Sequence, residues 1–260
     1  MFSSRRVVTA AAFVLGAGAP KIAPAQQSAV DSVNVANVVI LPRVGIGTAA
    51  PGPRAVAVRA ANVSFTVRPS AKGEVWAALR SLRSEASNAD AARALRATTT
   101  GDTVQIELAR ALTAPGHLDL GVPLGAALRI AGDNGGEVRI EGVRGSAEVT
   151  HSNGGVTVLD ATGHVLVATS NGNVRVRLVA VERGVPMSFI TNNGDIDLTM
   201  PADVRVTLLI DDSIPLESDF PLVSSGTAGA RSRLRRLAVN GGGPTIRLFT
   251  DNGKVRFHRL

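Results

Sequence analysis

Acidic residues on a polar strand face are the side chains of this sequence best suited to chemistry. In the string Asn193-Gly194-Asp195-Ile196-Asp197, two carboxylates stand two residues apart, so an extended strand places both on one side. Such a pair could bind a cation or act as acid and base. Further candidates for this chemistry are Asp160, Asp251, His151, His164 and Arg139. We expect a solvated strand face instead, because nothing in the sequence indicates a desolvating pocket that would shift a pKa.

A cluster of arginines near the C-terminus is the second candidate site. Arg231, Arg233 and Arg235 alternate along a predicted strand, and Arg236 is adjacent. Guanidinium groups bind phosphate through paired hydrogen bonds, so the cluster could bind anionic envelope polymers such as lipopolysaccharide phosphates. The alternative, which we favour, is a charged edge that stops one molecule from adding to the next.

Other catalytic and cofactor signatures are absent from the sequence. The chain has no Cys, which excludes disulfides, thiol catalysis and Cys-ligated zinc. Its four histidines never stand at His-x-x-x-His spacing, and no Gly-x-Ser-x-Gly elbow, P-loop or dinucleotide fingerprint occurs. We therefore expect no catalytic residue, no cofactor and no metal.

The first 25 residues have the layout of a secretory signal. Arg5 and Arg6 precede the apolar run from Val7 to Ala19, and the small residues of Ala23-Pro24-Ala25 predict cleavage after Ala25. The full chain of 260 residues carries a charge of +7, and removing Arg5, Arg6 and Lys21 leaves 25 basic and 21 acidic residues, or +4. This mild excess gives little reason to expect nucleic acid as a partner. No later run is long enough for a transmembrane segment, so we predict an exported protein that is periplasmic, at the cell surface or secreted.

A repeat with two nested periods occupies the middle of the chain. Glycines recur every nine residues, at Gly136, Gly145, Gly154, Gly163 and Gly172. After the Asn-Gly steps, apolar and polar residues alternate in a two-residue period, as in Val156/Val158, Val174/Val176, Ile196/Leu198 and Val255/Phe257. Alternation predicts half-buried strands, and Asn-Gly predicts the tight turns between them.

Two arrangements fit this pattern, and we favour the first. In a β-solenoid, coils of two strands and about 18 to 22 residues stack in parallel, so that equivalent apolar residues form one core. Arg175 would then lie beside Asp197, and Asn153, Asn171 and Asn193 would form a ladder. In the alternative, each Asn-Gly closes a hairpin of an antiparallel meander that folds into a sandwich or barrel.

The residues around the repeat predict how the rest of the chain divides into domains. Residues 26–53 form an extended lead-in or linker, and residues 54–260 form a single β-repeat domain with Phe65, Phe189 and Phe257 in its core. Between Val75 and Ala97 the abundance of Ala, Leu and Arg predicts a short helix or an irregular insertion.

Several motifs in the last 160 residues resemble a known family. They are Val122-Pro123-Leu124-Gly125, the turns Ser152-Asn153-Gly154 and Ser170-Asn171-Gly172, the segment from Ser218 to Pro221, and the closing strings Asn240–Gly243 and Thr250–Gly253. With these motifs in this order, the chain resembles the bacterial "putative adhesin" family of exported and envelope proteins. The resemblance implies a β-solenoid-like fold and an envelope or extracellular location, and it brings no catalytic residues.

Two functions follow as expectations. The first is an exported non-enzymatic β-repeat protein of the cell envelope, an adhesin or surface-interaction module whose partners are envelope polymers or surface glycans. The alternative is a carbohydrate-active β-helix lyase or hydrolase. The predicted mature chain has five Phe, one Trp (Trp76) and no Tyr, which counts against carbohydrate processing because sugars pack on aromatic side chains.

Overall fold

The structure is a computed structural model, and it describes residues 6–9, 39–40, 44–46, 54–71, 73–81, 95–108, 115–227 and 233–260. The predicted signal segment 1–25 and lead-in 26–53 lie outside these residues except for three short strands. All regular secondary structure in the described ranges is β. The strands are β1 (Arg6–Thr9), β2 (Val39–Ile40), β3 (Val44–Ile46), β4 (Ala55–Ala61), β5 (Val63–Pro69), β6 (Val75–Ser81), β7 (Leu95–Thr100), β8 (Thr103–Leu108), β9 (Gly116–Val122), β10 (Ala127–Asp133), β11 (Val138–Glu141), β12 (Ala147–Asn153), β13 (Val156–Ala161), β14 (Val165–Asn171), β15 (Val174–Leu178), β16 (Met187–Asn193), β17 (Ile196–Met200), β18 (Val206–Asp211), β19 (Leu216–Ser218), β20 (Leu222–Thr227), β21 (Leu234–Val239), β22 (Thr245–Asn252) and β23 (Val255–Arg259).

These strands form two sheets. In the described part of the chain, sheet 1 has the order β1-β7-β8-β4-β10-β12-β14-β16-β22-β18-β21-β20. Sheet 2 has the order β19-β23-β17-β15-β13-β11-β5-β9-β6-β2, with β3 also paired to β6. From β8 to β18 in sheet 1, and from β9 to β19 in sheet 2, every neighbouring pair is parallel. The β-solenoid prediction is therefore confirmed, and the antiparallel meander is wrong for this region.

Each coil contributes one strand to each sheet. In spatial order the coils are β8–β9, β4–β5, β10–β11, β12–β13, β14–β15, β16–β17, β22–β23 and β18–β19. The predicted inward positions lie in register, with Val156 beside Val174, Val174 beside Ile196, and Ile196 beside Val255. All four are fully buried. The alternation thus turns apolar side chains inward in every coil, and stacking of the coils joins these side chains into one hydrophobic core.

The spatial order of the coils departs from the chain order at both ends. The coil β8–β9 packs outside β4–β5, although it comes later in the sequence. The last coil, β22–β23, inserts between β16–β17 and β18–β19. Antiparallel strands then flank the stack, with β6 on β9 and β7 on β8 at one end, and β21 on β18 at the other. These outer strands pair the backbone groups that the terminal coils would otherwise expose.

The predicted helix or irregular insertion over Val75–Ala97 is wrong where the structure describes it. Residues Val75–Ser81 and Leu95–Thr100 are strands, while 82–94 lie outside the described residues. Val75, Ala77 and Leu79 alternate inward and are buried. Antiparallel pairing with β9 and burial of these side chains override the helix propensity of an Ala- and Leu-rich string.

Candidate functional site

The turns that lead from sheet 1 to sheet 2 hold the coils in register through a ladder of amides. In each step the Nδ2 group of one asparagine donates to Oδ1 of the asparagine in the neighbouring coil. The donor–acceptor distances are 2.8 Å for Asn153 to Asn134, 2.7 Å for Asn171 to Asn153, 2.7 Å for Asn193 to Asn171 and 2.8 Å for Asn252 to Asn193. We call these turns the asparagine corner. The predicted ladder is confirmed and extends by one rung at each end.

A second column lies inside the asparagine corner. Thr169, Thr191 and Thr250 are buried, and each hydroxyl donates to a glycine carbonyl of the preceding turn, at 3.1, 2.8 and 2.8 Å. His151 takes the equivalent place in its coil, with Nε2 2.8 Å from the carbonyl of Gly136. Its ring occupies the space that a side chain at Gly132 would need. The histidine is therefore a structural element of the corner.

The outward side chains of sheet 2, from β9 across β5, β11, β13, β15, β17 and β23 to β19, form what we call the charged face. Along one column of this face, Arg175, Asp197, Arg256 and Glu217 lie on four successive coils. Their charges alternate in sign from one coil to the next. The predicted neighbours Arg175 and Asp197 are in register, and their side chains approach to 3.6 Å.

The carboxylate pair at the start of β17, Asp195 and Asp197, is held by one arginine from the inserted coil. Arg256 donates from Nη1 to Asp197 at 2.8 Å and from Nη2 to Asp195 at 2.9 Å. The backbone N–H of Lys254 donates to Asp195 at 3.0 Å. This bond, followed by the bond from Arg256, holds the pKa of Asp195 below its ordinary value. Because a general acid at neutral pH needs a raised pKa, Asp195 is suited to binding and ion pairing rather than to proton donation.

A groove of about 540 Å³ opens further along the charged face, where β5, β11, β13 and β15 end. Its charged lining comes from four neighbouring coils and consists of Arg68, Arg139, Glu141, Asp160 and Arg177. Arg68 and Arg139 both donate through Nε to Glu141, at 2.9 and 2.6 Å, and Arg177 donates to Asp160 at 2.8 Å. These bonds leave the side chains accessible, since Arg139 and Arg177 are each 41% exposed.

The shape of the groove depends on an irregularity in β13. The register with β15 shifts between Val158 and Ala161, and Asp160 adopts a φ of 57°. A bulge of this kind redirects a side chain at the end of a strand. Within the groove, the hydrogen bonds from Arg68 and then Arg139 lower the pKa of Glu141. Glu141 therefore stays ionised at neutral pH.

A Ser-His-Asp constellation lies on β5 and β9 of the charged face, towards the start of the strand that carries Arg68. Ser64 Oγ is 2.7 Å from His117 Nδ1, and His117 Nε2 is 3.4 Å from Asp119 Oδ1. Acyl transfer also needs donors for the oxyanion, commonly the N–H that follows the nucleophile. Here the Phe65 N–H donates to the carbonyl of Glu137 at 2.9 Å and is part of the sheet. The constellation is therefore better explained as cross-strand packing than as a hydrolytic centre.

The structure brings together only some of the candidates predicted from the sequence. Arg139 and Asp160 line the groove, whereas Asp195 and Asp197 lie further along the same face. His151 is buried in the corner. His164 precedes β14 and Asp251 is the second-last residue of β22, so these two residues lie at opposite ends of parallel strands. Arg68, Glu141 and Arg177 were not among the predicted residues; their outward position in the alternation was the available signal.

The arginine cluster is described only in part. Arg231 lies outside the described residues, and Arg233 is exposed just before β21. Arg235 forms an ion pair with Asp212 at 2.9 Å. Adjacent strand residues point to opposite faces, so Arg235 lies on the side of buried Leu237 and Arg236 on the exposed side. The anion-binding role of this cluster stays a prediction.

The described residues hold neither a cluster of metal ligands nor a membrane-spanning helix. No group of three or more His, Cys, Asp or Glu side chains there could hold a metal ion. The same residues contain no helix with the length and apolar character needed to span a bilayer.

Comparison with known proteins gives similarity only at the level of structure. No family model matches the chain, and no curated protein matches it. A putative cell adhesion protein from Clostridium sporogenes has a similar structure with a TM-score of 0.48 and 6% identity, covering 84% of this chain and 99% of that one. A putative adhesin from Bacteroides fragilis has a TM-score of 0.31 and 12% identity, covering 86% of this chain and 97% of that one. The family resemblance of the sequence motifs stays a prediction.

Proposed function

We propose that this protein is an exported, non-enzymatic β-solenoid of the cell envelope that binds surface polymers or glycans through the charged face. The observation that carries this proposal is the pairing of opposite charges between successive coils, as in the column from Arg175 to Glu217. Such a face is long, polar and open. It suits an extended ligand that makes many weak contacts rather than a small substrate enclosed around a reaction centre.

The lowered pKa of carboxyl groups on the described charged face supports the non-enzymatic part of the proposal. Asp195, Glu141 and Glu217 on this face all have a lowered pKa; arginine side chains bind the first two, and Lys254 binds Glu217. Glycoside cleavage by a carboxylate pair needs one partner that keeps its proton near neutral pH. The export part rests on the predicted signal segment 1–25.

The test is a pull-down of the mature protein, beginning at Gln26, against fractionated envelope and purified polysaccharides. We expect retention by a polysaccharide-containing fraction, and reduced retention of an Arg139→Ala/Arg177→Ala variant. Arg129→Ala is the matched control, because Arg129 forms a comparable ion pair with Glu148, at 2.7 Å, on the outer face of sheet 1. Equal retention of all three proteins, or none at all, would contradict the proposal.

The groove favours one second candidate, a carbohydrate-active enzyme, because Glu141 and Asp160 are two carboxylates in one concave site. The same polysaccharides incubated with the protein distinguish the two functions. Release of reducing ends or unsaturated sugars that is lost in Glu141→Gln would support the enzyme. Binding without any such product supports the interaction module.

A further inference from the structure

The chain's one tryptophan lies beside the groove on the charged face. Trp76 in β6 is in register with Gly121 in β9, and Gly121 is in register with Arg68 in β5. A Cβ atom at Gly121 would overlap the indole ring of Trp76, so the ring covers the outer surface of this glycine. Trp76 is only half-buried there. Gly121 thus lets an aromatic ring lie flat against the sheet, next to the strand that carries Arg68.

Trp76 and the groove lie on neighbouring strands of sheet 2, and we call the row of outward positions from Trp76 to Arg177 the strip. From β6 the strip crosses β9, β5, β11 and β13 to β15, which is five strand spacings or roughly 24 Å at about 4.8 Å each. The aromatic ring lies at one end, and the pair Asp160–Arg177 at the other. Arg68 and Arg139, bridged by Glu141, occupy the centre. The strip is long enough for several units of a linear polymer.

The charges of the strip are compensated internally, and this indicates the kind of ligand. Arg68 and Arg139 share Glu141, while Arg177 binds Asp160. The hydrogen bond and charge of Glu141, and after them the charge of Asp119, raise the pKa of the Arg68 guanidinium. A polyanion would approach these carboxylates as well as the arginines. A hydroxyl group both donates and accepts, so adjacent guanidinium and carboxylate groups match it without a net charge on the ligand.

We propose that the strip from Trp76 to Arg177 binds a neutral, hydroxyl-rich saccharide, with the indole ring packing on a sugar face and the ion pairs bonding its hydroxyls. This inference rests on the proposed function and names its ligand class. An indole ring combines a large apolar face with a polar edge, as recognition of a sugar ring requires. Binding through neutral hydrogen bonds and ring packing depends little on salt, whereas binding of a polyanion weakens strongly as salt rises.

The experiment is affinity electrophoresis of the mature protein in gels that contain dextran, galactomannan, mixed-linkage β-glucan or polygalacturonate. We expect retardation by at least one of the three neutral polymers, and we expect it to persist at high salt. Trp76→Ala and the double variant Asp160→Ala/Arg177→Ala should each weaken that binding about tenfold, the loss expected for one set of charged hydrogen bonds or one aromatic contact. Trp76→Phe should weaken it less, and Arg129→Ala should leave it unchanged.

Two kinds of result overturn the inference. The first is retardation by polygalacturonate alone that disappears with salt, or no retardation in any gel. The second is wild-type retardation of the double variant, whose side chains are 49% and 41% exposed and whose loss should leave the fold intact. If the envelope pull-down is positive, the first result means that the ligand class is wrong, and the second means that the binding strip is wrong. If the pull-down also fails, the proposed function is wrong as well.

Discussion

The asparagine corner and the charged face are built by the same coils, but they repeat in different ways. In the corner, the same amide recurs from Asn134 to Asn252, because each side chain binds its own copy in the next coil. On the charged face, the residue type changes from coil to coil, as from Arg175 to Asp197 to Arg256. Each turn of the corner forms the same amide hydrogen bond to its neighbour, whereas the outward side chains of the face can differ from coil to coil. Structural constraint is therefore concentrated in the corner, and specificity in the face.

The largest difference in stability between the two regions should follow from adding one methyl group in the corner. Gly172 has a φ of 153°, and a Cβ there would overlap the carbonyl oxygen of Gly154 in the neighbouring coil. We expect Gly172→Ala to lower the free energy of unfolding by about 3 kcal/mol or more, measured by urea denaturation. Gly125→Ala is the control, since a Cβ at Gly125 meets open space. Equal unfolding midpoints for the two variants would contradict the close packing of the corner.

A smaller effect is expected from the amide ladder itself. Asn171→Ala removes the bonds to both Asn153 and Asn193, which are 2.7 Å long and lie at the surface. Water can bond to the Asn153 and Asn193 amides that lose a partner. We therefore expect a decrease of about 1 kcal/mol in the free energy of unfolding. Exposed Ser170 is adjacent, and Ser170→Ala should have no measurable effect. A Ser170→Ala loss as large as that of Asn171→Ala would mean that the ladder contributes nothing specific.

The smallest effect on stability is expected on the charged face, and it depends on pH. The pKa of Asp195 and that of Glu141 are lowered in the folded state. A lowered pKa stabilises the fold above the unfolded value and loses this contribution as pH falls through the folded value. We expect the urea concentration at the unfolding midpoint to be constant near neutral pH. It should decrease when the pH drops below about 4.

Arg256→Gln sharpens this prediction, because it removes one cause of the lowered pKa of Asp195. The variant should have nearly the wild-type midpoint at neutral pH and a smaller decrease in acid, since exposed ion pairs contribute little to stability. A loss at neutral pH comparable to that of Gly172→Ala would show that the charged face carries structural constraint after all.

The parts of the fold that the sequence predicted are those that repeat. A glycine every nine residues marks the two corners of an 18-residue coil, and the alternation between them gives the inward residues such as Val156 and Val174. The non-sequential order of the coils could not be predicted in this way. β22–β23 has the same pattern as its neighbours, so its motif fits any place in the stack. The antiparallel strand β6 was missed because its composition favours a helix.

The candidate site was predicted only in part for the same reason. Arg139 and Asp160 were recognised as polar residues of the repeat, and their partners Glu141 and Arg177 lie in the same strand and in the next coil of the chain. The partners that could not be predicted come from coils distant in sequence. Arg68 is 73 residues from Glu141 in sequence, and Arg256 is 59 residues from Asp197. Each of these contacts exists only because a coil packs out of chain order or across an insertion. Alternation identifies the outward side chains, and only the topology places them together.

The parallel register of the inserted coil is the feature on which both regions depend, and engineered disulfides test it most directly. The chain has no Cys, so a Ser188→Cys/Arg247→Cys pair would be its sole thiols. Ser188 and Arg247 are in register on neighbouring strands, about 4.8 Å apart and within disulfide reach. Leu209 lies one strand further on, at roughly twice that distance from Ser188. We predict that mild oxidation of the native protein links residues 188 and 247 and fails to link the Ser188→Cys/Leu209→Cys pair; the reverse result would contradict the insertion of β22–β23.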